Sequence, residues 1–170
     1  MSTSANPAFA SLSPAVQVNL HVSLKIAQTM GMIVPPLYLV ACLARHRPLT
    51  VRGLMKTSTN STVIGGIVGY GIGAGYLRNE PEEKLVDRVV RLKHNAGQVR
   101  TDDYSIIGAA VGGLLSPAIF LHRAPMVLLV SGGAGIGLGA GVWVHLFQSL
   151  TKGEDIKPEA MVDEITNNKP

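Results

Sequence analysis

"GGAGIGLGAGVWV", residues 132–144, carries glycine at 132, 133, 135, 137, 139 and 141, and its reading decides the fold. A phosphate-cradling Gly-x-Gly-x-x-Gly loop sits between a strand and a helix, with an acidic residue about 20 positions further on. Here the glycines alternate, no strand-like run precedes them, and too little chain follows for a second βαβ unit. The other reading is a helix made smooth for another helix. Residues four apart share a helix face, so Gly133, Gly137 and Gly141 form one bare row, with Gly135 and Gly139 in a second beside it. The stretch "GGIVGYGIGAG" repeats the device, with Gly65, Gly69 and Gly73 in one row and Gly71 and Gly75 in the other. Gly108 and Gly112, continued by Ser116, make a third row. Such small-xxx-small faces let helix backbones approach closely where lipid supplies no hydrophobic drive.

Composition agrees. Charged residues are 15% of the 170, against about 25% in soluble domains, too few to coat an ordinary globule. Four stretches carry no Asp, Glu, Lys or Arg, at 26–44, 57–77, 104–122 and 124–151. Each reaches the roughly 17–25 residues a membrane helix needs. The expected fold class is an all-α membrane protein of four short Gly-rich transmembrane helices in two similar hairpins. Residues 15–151 form the membrane domain, between a mobile arm at 1–14 and a polar tail at 152–170. Each half has a span interrupted by proline, a basic turn ending in proline, and a glycine-rich span, which suggests an internal repeat.

The segment "VQVNLHVSLKI" alternates apolar and polar residues from Val16 to Ile26, the period of a strand. A lone strand beside a helical bundle has nothing to pair with, and Ser13-Pro14 is a good helix start, so helix is expected, kinked at Pro35-Pro36. Between the halves, an amphipathic helix is expected at about 80–95. Asn79 would cap it, acids fill its first turn and bases its last, and Asn95 and Gly97 stop it. Its apolar stripe, Leu85, Val89 and Leu92, suits a membrane surface or a partner; a solvated linker is the alternative. Asp102 and Asp103 are expected to cap the third span, with Tyr104 at the interface.

Little chemistry is visible. His21, His46, His94, His122 and His145 lie in separate segments without zinc spacing, and His145 reads as a hydrogen-bonded interfacial histidine. No nucleophile–base pair is recognisable, and the four apolar stretches hold no Asp, Glu, Lys or Arg to serve an ion path. No catalytic residue, cofactor or metal is expected. The net charge of +4 does not indicate nucleic acid, because no basic stripe interleaves with aromatics. The basic turns are instead candidates for anionic lipid head groups, cardiolipin included: Arg45, His46, Arg47, Arg52 and Lys56, joined by His122 and Arg123 at the same end of a hairpin pair. Positive charge holding short loops on the inner side of the membrane explains the same pattern. On that rule the turns face the matrix or cytosol. No lysine or arginine precedes Lys25, so an Arg-rich presequence is not expected.

Residues 91–125, "RLKHNAGQVRTDDYSIIGAAVGGLLSPAIFLHRAP", resemble the small fungal-specific accessory membrane subunits of mitochondrial NADH:ubiquinone oxidoreductase, complex I. With the four-span layout the resemblance covers roughly residues 15–150, and Arg100, Asp102, Asp103 and Tyr104 are its most distinctive part. It implies a structural subunit without redox cofactors, multi-pass in the mitochondrial inner membrane. Its partners would be membrane-embedded subunits and phospholipid. A more distant likeness is to the Tim-type four-span proteins, which makes protein import or another small membrane transport role the alternative.

Overall fold

The computed structural model describes residues 12–152 and consists there of five α-helices. Most of the arm and most of the tail lie outside the described residues, and Pro14, the last residue assigned to the arm, already belongs to α1. In chain order the helices are α1 (Pro14–Ala44), α2 (Val51–Leu77), α3 (Glu82–His94), α4 (Ala96–Phe120) and α5 (Met126–Lys152). Three of them, α1, α4 and α5, are long and apolar enough to cross a membrane. Together with exposed Leu, Ile and Val on their outer faces, they point to a membrane protein. The fourth expected span, α2, is as long as α5, but its glycines and the hydroxyl run at 57–62 make it less apolar.

The alternating segment is helix, as expected: α1 runs unbroken for 31 residues, with Pro14 in its first turn. Pro35 and Pro36 lie inside it. A proline lacks the N–H that bonds the carbonyl four residues earlier, so the carbonyls of Gly31 and Met32 lose their helical partners. Both turn to α5. Trp143 Nε1 donates to the Met32 oxygen at 3.2 Å, and Gly139 brings its bare Cα against the Gly31 oxygen. The double proline thus creates acceptors that the glycine-rich helix is built to meet.

The α1–α2 turn closes on a Schellman motif. Arg47 N–H donates to Cys42 O at 2.9 Å and His46 N–H to Leu43 O at 3.2 Å, and His46 takes the left-handed conformation, φ 49°, that glycine usually fills. Pro48 follows and prevents continuation. Thr50 then caps α2, its Oγ1 accepting from Gly53 N–H at 3.1 Å.

Two expected caps are displaced. Asn79 does not cap α3; Pro81 occupies that position, without a side-chain bond. Glu80 precedes a proline, which drives it out of the helical region, so the helix begins only at Glu82. Asp102 and Asp103 do not cap α4 either. That helix starts at Ala96, where Asn95 Oδ1 accepts from Gln98 N–H at 3.1 Å, leaving both acids inside it. Asn95 also ends α3, its own N–H reaching Arg91 O at 3.1 Å. One residue is therefore stop and start.

The helices pair antiparallel. Gly65, Gly69 and Gly73 of α2 meet Met30, Ser23 and Asn19 of α1 in descending order. Gly108 and Gly112 of α4 lock into Gly137 and Gly133 of α5, while Gly141 lies on Tyr104 and Ser116 on Gly133. The second row of α5 crosses the first hairpin: Gly135 faces Ser58 and Thr62, Gly139 faces Gly31, and the neighbouring Gly132 lies on Met55. Ser58 Oγ donates to Gly132 O at 3.0 Å, and Thr59 and Ser131 hydroxyls pair at 3.0 Å. Leu129, fully buried, lies in this region. The matching row of α2 behaves differently, because Gly71 and Gly75 face open space.

Candidate functional site

The helix α3 lies over the N-terminal part of α1. Leu85 and Val89 are buried in a small cluster with Val18 of α1 and Leu77 of α2, and Ala15 and Leu92 pack against it. Val86 and Val90, next to the stripe, stay about half exposed. Glu80 sits 3.7 Å from Lys84 and 3.5 Å from Arg88, and Asp87 pairs with Arg91. The i,i+4 pairs Glu80–Lys84 and Asp87–Arg91 add only a few tenths of a kcal/mol each.

Beneath α3, a polar seam joins the two halves of the chain. His21, Lys25 and Gln28 recur on one face of α1. Lys25 Nζ donates to Asp102 Oδ1 at 2.7 Å, and Gln28 Nε2 donates to the same oxygen at 2.7 Å and to Ser105 Oγ at 2.7 Å. The other carboxylate oxygen stands 3.6 Å from His21 Nδ1. Ser105, fully buried, donates to the Asp102 carbonyl at 2.8 Å. Asp102 is thus the anchor of α4 on α1, not a cap. Lys25 and Asp102 are part-buried rather than fully so, which keeps their desolvation cost below that of a sealed pair. Lys25 and Gln28 escaped the sequence reading because their partners lie 74 to 77 residues away. Their spacing on one helix face was the available signal.

The distinctive cluster of four is divided by the turn of the helix. Asp102 faces α1, Tyr104 faces α5, and Arg100 and Asp103 are exposed. Tyr104 donates to Gln148 Oε1 at 2.7 Å and stacks on His145 with centroids 5.5 Å apart. His145 is buried. Its Nε2 meets the Gly97 carbonyl and its Nδ1 the Ser149 hydroxyl, each at 3.3 Å. A carbonyl only accepts, so Nε2 carries a proton toward Gly97. This is the hydrogen-bonded histidine that the sequence suggests.

The basic turns occupy the opposite end of the bundle. Because α1/α2 and α4/α5 are antiparallel and α2 crosses α5 between residues 55–62 and 131–135, Arg45, His46 and Arg47 share that end with His122 and Arg123. All five are exposed, as are Arg52 and Lys56 in the first turns of α2. None of these arginines and lysines forms an ion pair among the described residues. Asn79 lies exposed in the turn before α3. Among the described residues, no three His, Cys, Asp or Glu side chains stand together as metal ligands do.

No curated protein and no solved structure matches the chain. One family model does, over residues 12–147, from just before α1 to near the end of α5. The glycine rows, the polar seam and the surface helix all fall within that stretch, and the chain belongs to the family described as "Protein of unknown function (DUF1757)".

Proposed function

We propose that this protein is a non-catalytic accessory subunit of a large membrane complex, complex I of the mitochondrial inner membrane, as the resemblance of residues 91–125 implies. In this reading α2 is the fourth span. The basic turns face the matrix and hold phospholipid, cardiolipin included, through Arg45, Arg47 and Arg123. The observation that carries the packing role is the outer face of α2: Ile64, Ile67, Val68 and Ile72 are 45–68% exposed, and Gly71 and Gly75 beside them have no neighbour within 4 Å. A larger subunit's helix fits such a face better than lipid does, because lipid gains little from a bare backbone groove. The internal polar groups also favour a structural role. They bond to one another across the α1–α4 seam and leave no chain of ionisable side chains from one end of the bundle to the other.

Gentle detergent extraction, native electrophoresis and mass spectrometry of the band containing this chain test the proposal. Co-migration in fixed stoichiometry with NADH-oxidising activity is the expected result. Migration with protein-import components would replace it by the Tim-type reading, and a small band of its own would end both.

A further inference from the structure

Two cavities flank the contact between α3 and α1 and meet at His21 and Leu92. One, of about 320 Å³, lies among α1, α3 and the start of α4 and is lined by Arg88, Arg91 and Gln98. The other, of about 240 Å³, is mainly apolar, with Leu20, Leu24 and Val99 in its wall. Its carboxylate, Asp102, is already taken by Lys25 and Gln28. Arginine donors beside a wall of Leu20, Leu24 and Val99, where an amphipathic helix lies over the membrane helices, suit an amphiphile.

Three details narrow the chemistry. First, both arginines engage their neighbours through Nη2 alone: Arg88 with Tyr76 and Glu80, Arg91 with Asp87. Nη1 and Nε of each remain for a further acceptor, and planar guanidinium forks suit phosphate. Second, the Tyr76 hydroxyl bonds Arg88 and its ring lies 5.0 Å below the guanidinium. That bond raises the affinity of Arg88 for its proton and fixes the charge in place. Third, Gln98 Oε1 is buried with no hydrogen-bond partner, and a buried orphan acceptor is costly. A phosphate cannot satisfy it; a hydroxyl or ammonium can.

We propose that the cleft beneath α3 is a glycerophospholipid site, with phosphate on Arg88 and Arg91, a head-group O–H or N–H on Gln98, and an acyl chain in the cavity lined by Leu20, Leu24 and Val99. It selects head groups that carry a donor, phosphatidylethanolamine or phosphatidylglycerol, over phosphatidylcholine, whose quaternary nitrogen has none. The site stands at the end of the bundle opposite the basic turns. It rests on the membrane part of the proposed function and not on membership of any complex.

The test uses the purified full chain in detergent, offered equal amounts of the three phospholipids, with retained lipid counted by native mass spectrometry. Wild type is expected to retain phosphatidylethanolamine or phosphatidylglycerol in preference to phosphatidylcholine. Arg88→Gln/Arg91→Gln is expected to lower retention by about tenfold or more, through lost charge-assisted hydrogen bonds. Gln98→Leu keeps retention but removes the discrimination against choline, so the proposal stays testable even if the arginine variant does not fold. Equal retention of all three lipids by wild type would overturn it, as would unchanged retention in a folded arginine variant. Displacement of the lipid by millimolar inorganic phosphate alone would also overturn it, since the acyl compartment would then contribute nothing. Failure to co-migrate with a respiratory complex has no bearing on any of these results.

Discussion

The helices α2 and α5 carry nearly the same glycine pattern and use it differently. In α5 both rows are covered: Gly133, Gly137 and Gly141 by α4, Gly135 and Gly139 by the first hairpin. In α2 one row packs on α1 and the other, Gly71 and Gly75, is open. Spacing decides which residues share a face; only the number of neighbours decides whether the face is covered. The glycine faces of α5 meet α1, α2 and α4, whereas those of α2 meet α1 alone. The repeat in the sequence therefore does not translate into equivalent surroundings.

The comparison breaks most severely at Gly137, where an added methyl would overlap the Gly108 carbonyl, backbone against backbone. Gly137→Ala is expected to cost more than about 3 kcal/mol, the upper end for an overpacked core, and to abolish cooperative thermal unfolding in detergent by circular dichroism. A folded variant with an unchanged midpoint would mean that the α4–α5 seam is not the tight one. Gly69→Ala comes next. Its Cβ would stand 2.8 Å from Ser23 Cα and 3.1 Å from Ile26 Cβ, so about 1–3 kcal/mol is expected as α1 is displaced.

A third test asks what holds α1 to the hub. Trp143→Phe leaves the Met32 carbonyl without its donor and is expected to cost about 1–2 kcal/mol. Pro36→Ala restores an intrahelical N–H to that carbonyl. In the double variant Trp143→Phe should therefore cost less than it does alone, and additive losses in the cycle would rule out the shared acceptor. The smallest effect is at Gly71. Gly71→Ala meets nothing within 4 Å and is expected to stabilise the isolated chain by up to about 0.8–1 kcal/mol through helix propensity. The same substitution should weaken assembly if a subunit covers that face, so the two readouts would move in opposite directions.

Much of this fold was legible. The four-residue spacing of glycine identified the packing rows at 65–73, 108–112 and 133–141, because a bare helix face has few other uses in a chain this poor in charge. Asn95 marked the α3–α4 boundary, but Gly97, expected to help stop α3, lies in the first turn of α4, because Asn95 both ends one helix and caps the next. The start of α3 was legible too, but only by giving Pro81 more weight than Asn79, since steric exclusion at Glu80 outranks a favourable cap. Half of the Trp143 contact was written in Pro36, which shows that a carbonyl is freed but not what takes it. The seam at Asp102 was hidden for a plainer reason. Local pattern explains an acid near a helix start as a cap, and nothing local announces that Lys25 and Gln28 will arrive from the other end of the chain.

The position of α5 in the chain has a consequence for biogenesis. The helix whose glycine rows are both covered is the last of the five to leave the ribosome, so the earlier ones enter the membrane without it. The α1–α2 hairpin has its own glycine seam and can close at once. By contrast α4, already tied to α1 through Asp102, waits with Gly108 and Gly112 uncovered, while the Gly31 and Met32 carbonyls wait for Gly139 and Trp143. Insertion of α5 therefore completes three interfaces in one step, and until then the nascent protein presents bare backbone and unmet acceptors to whatever machinery attends it.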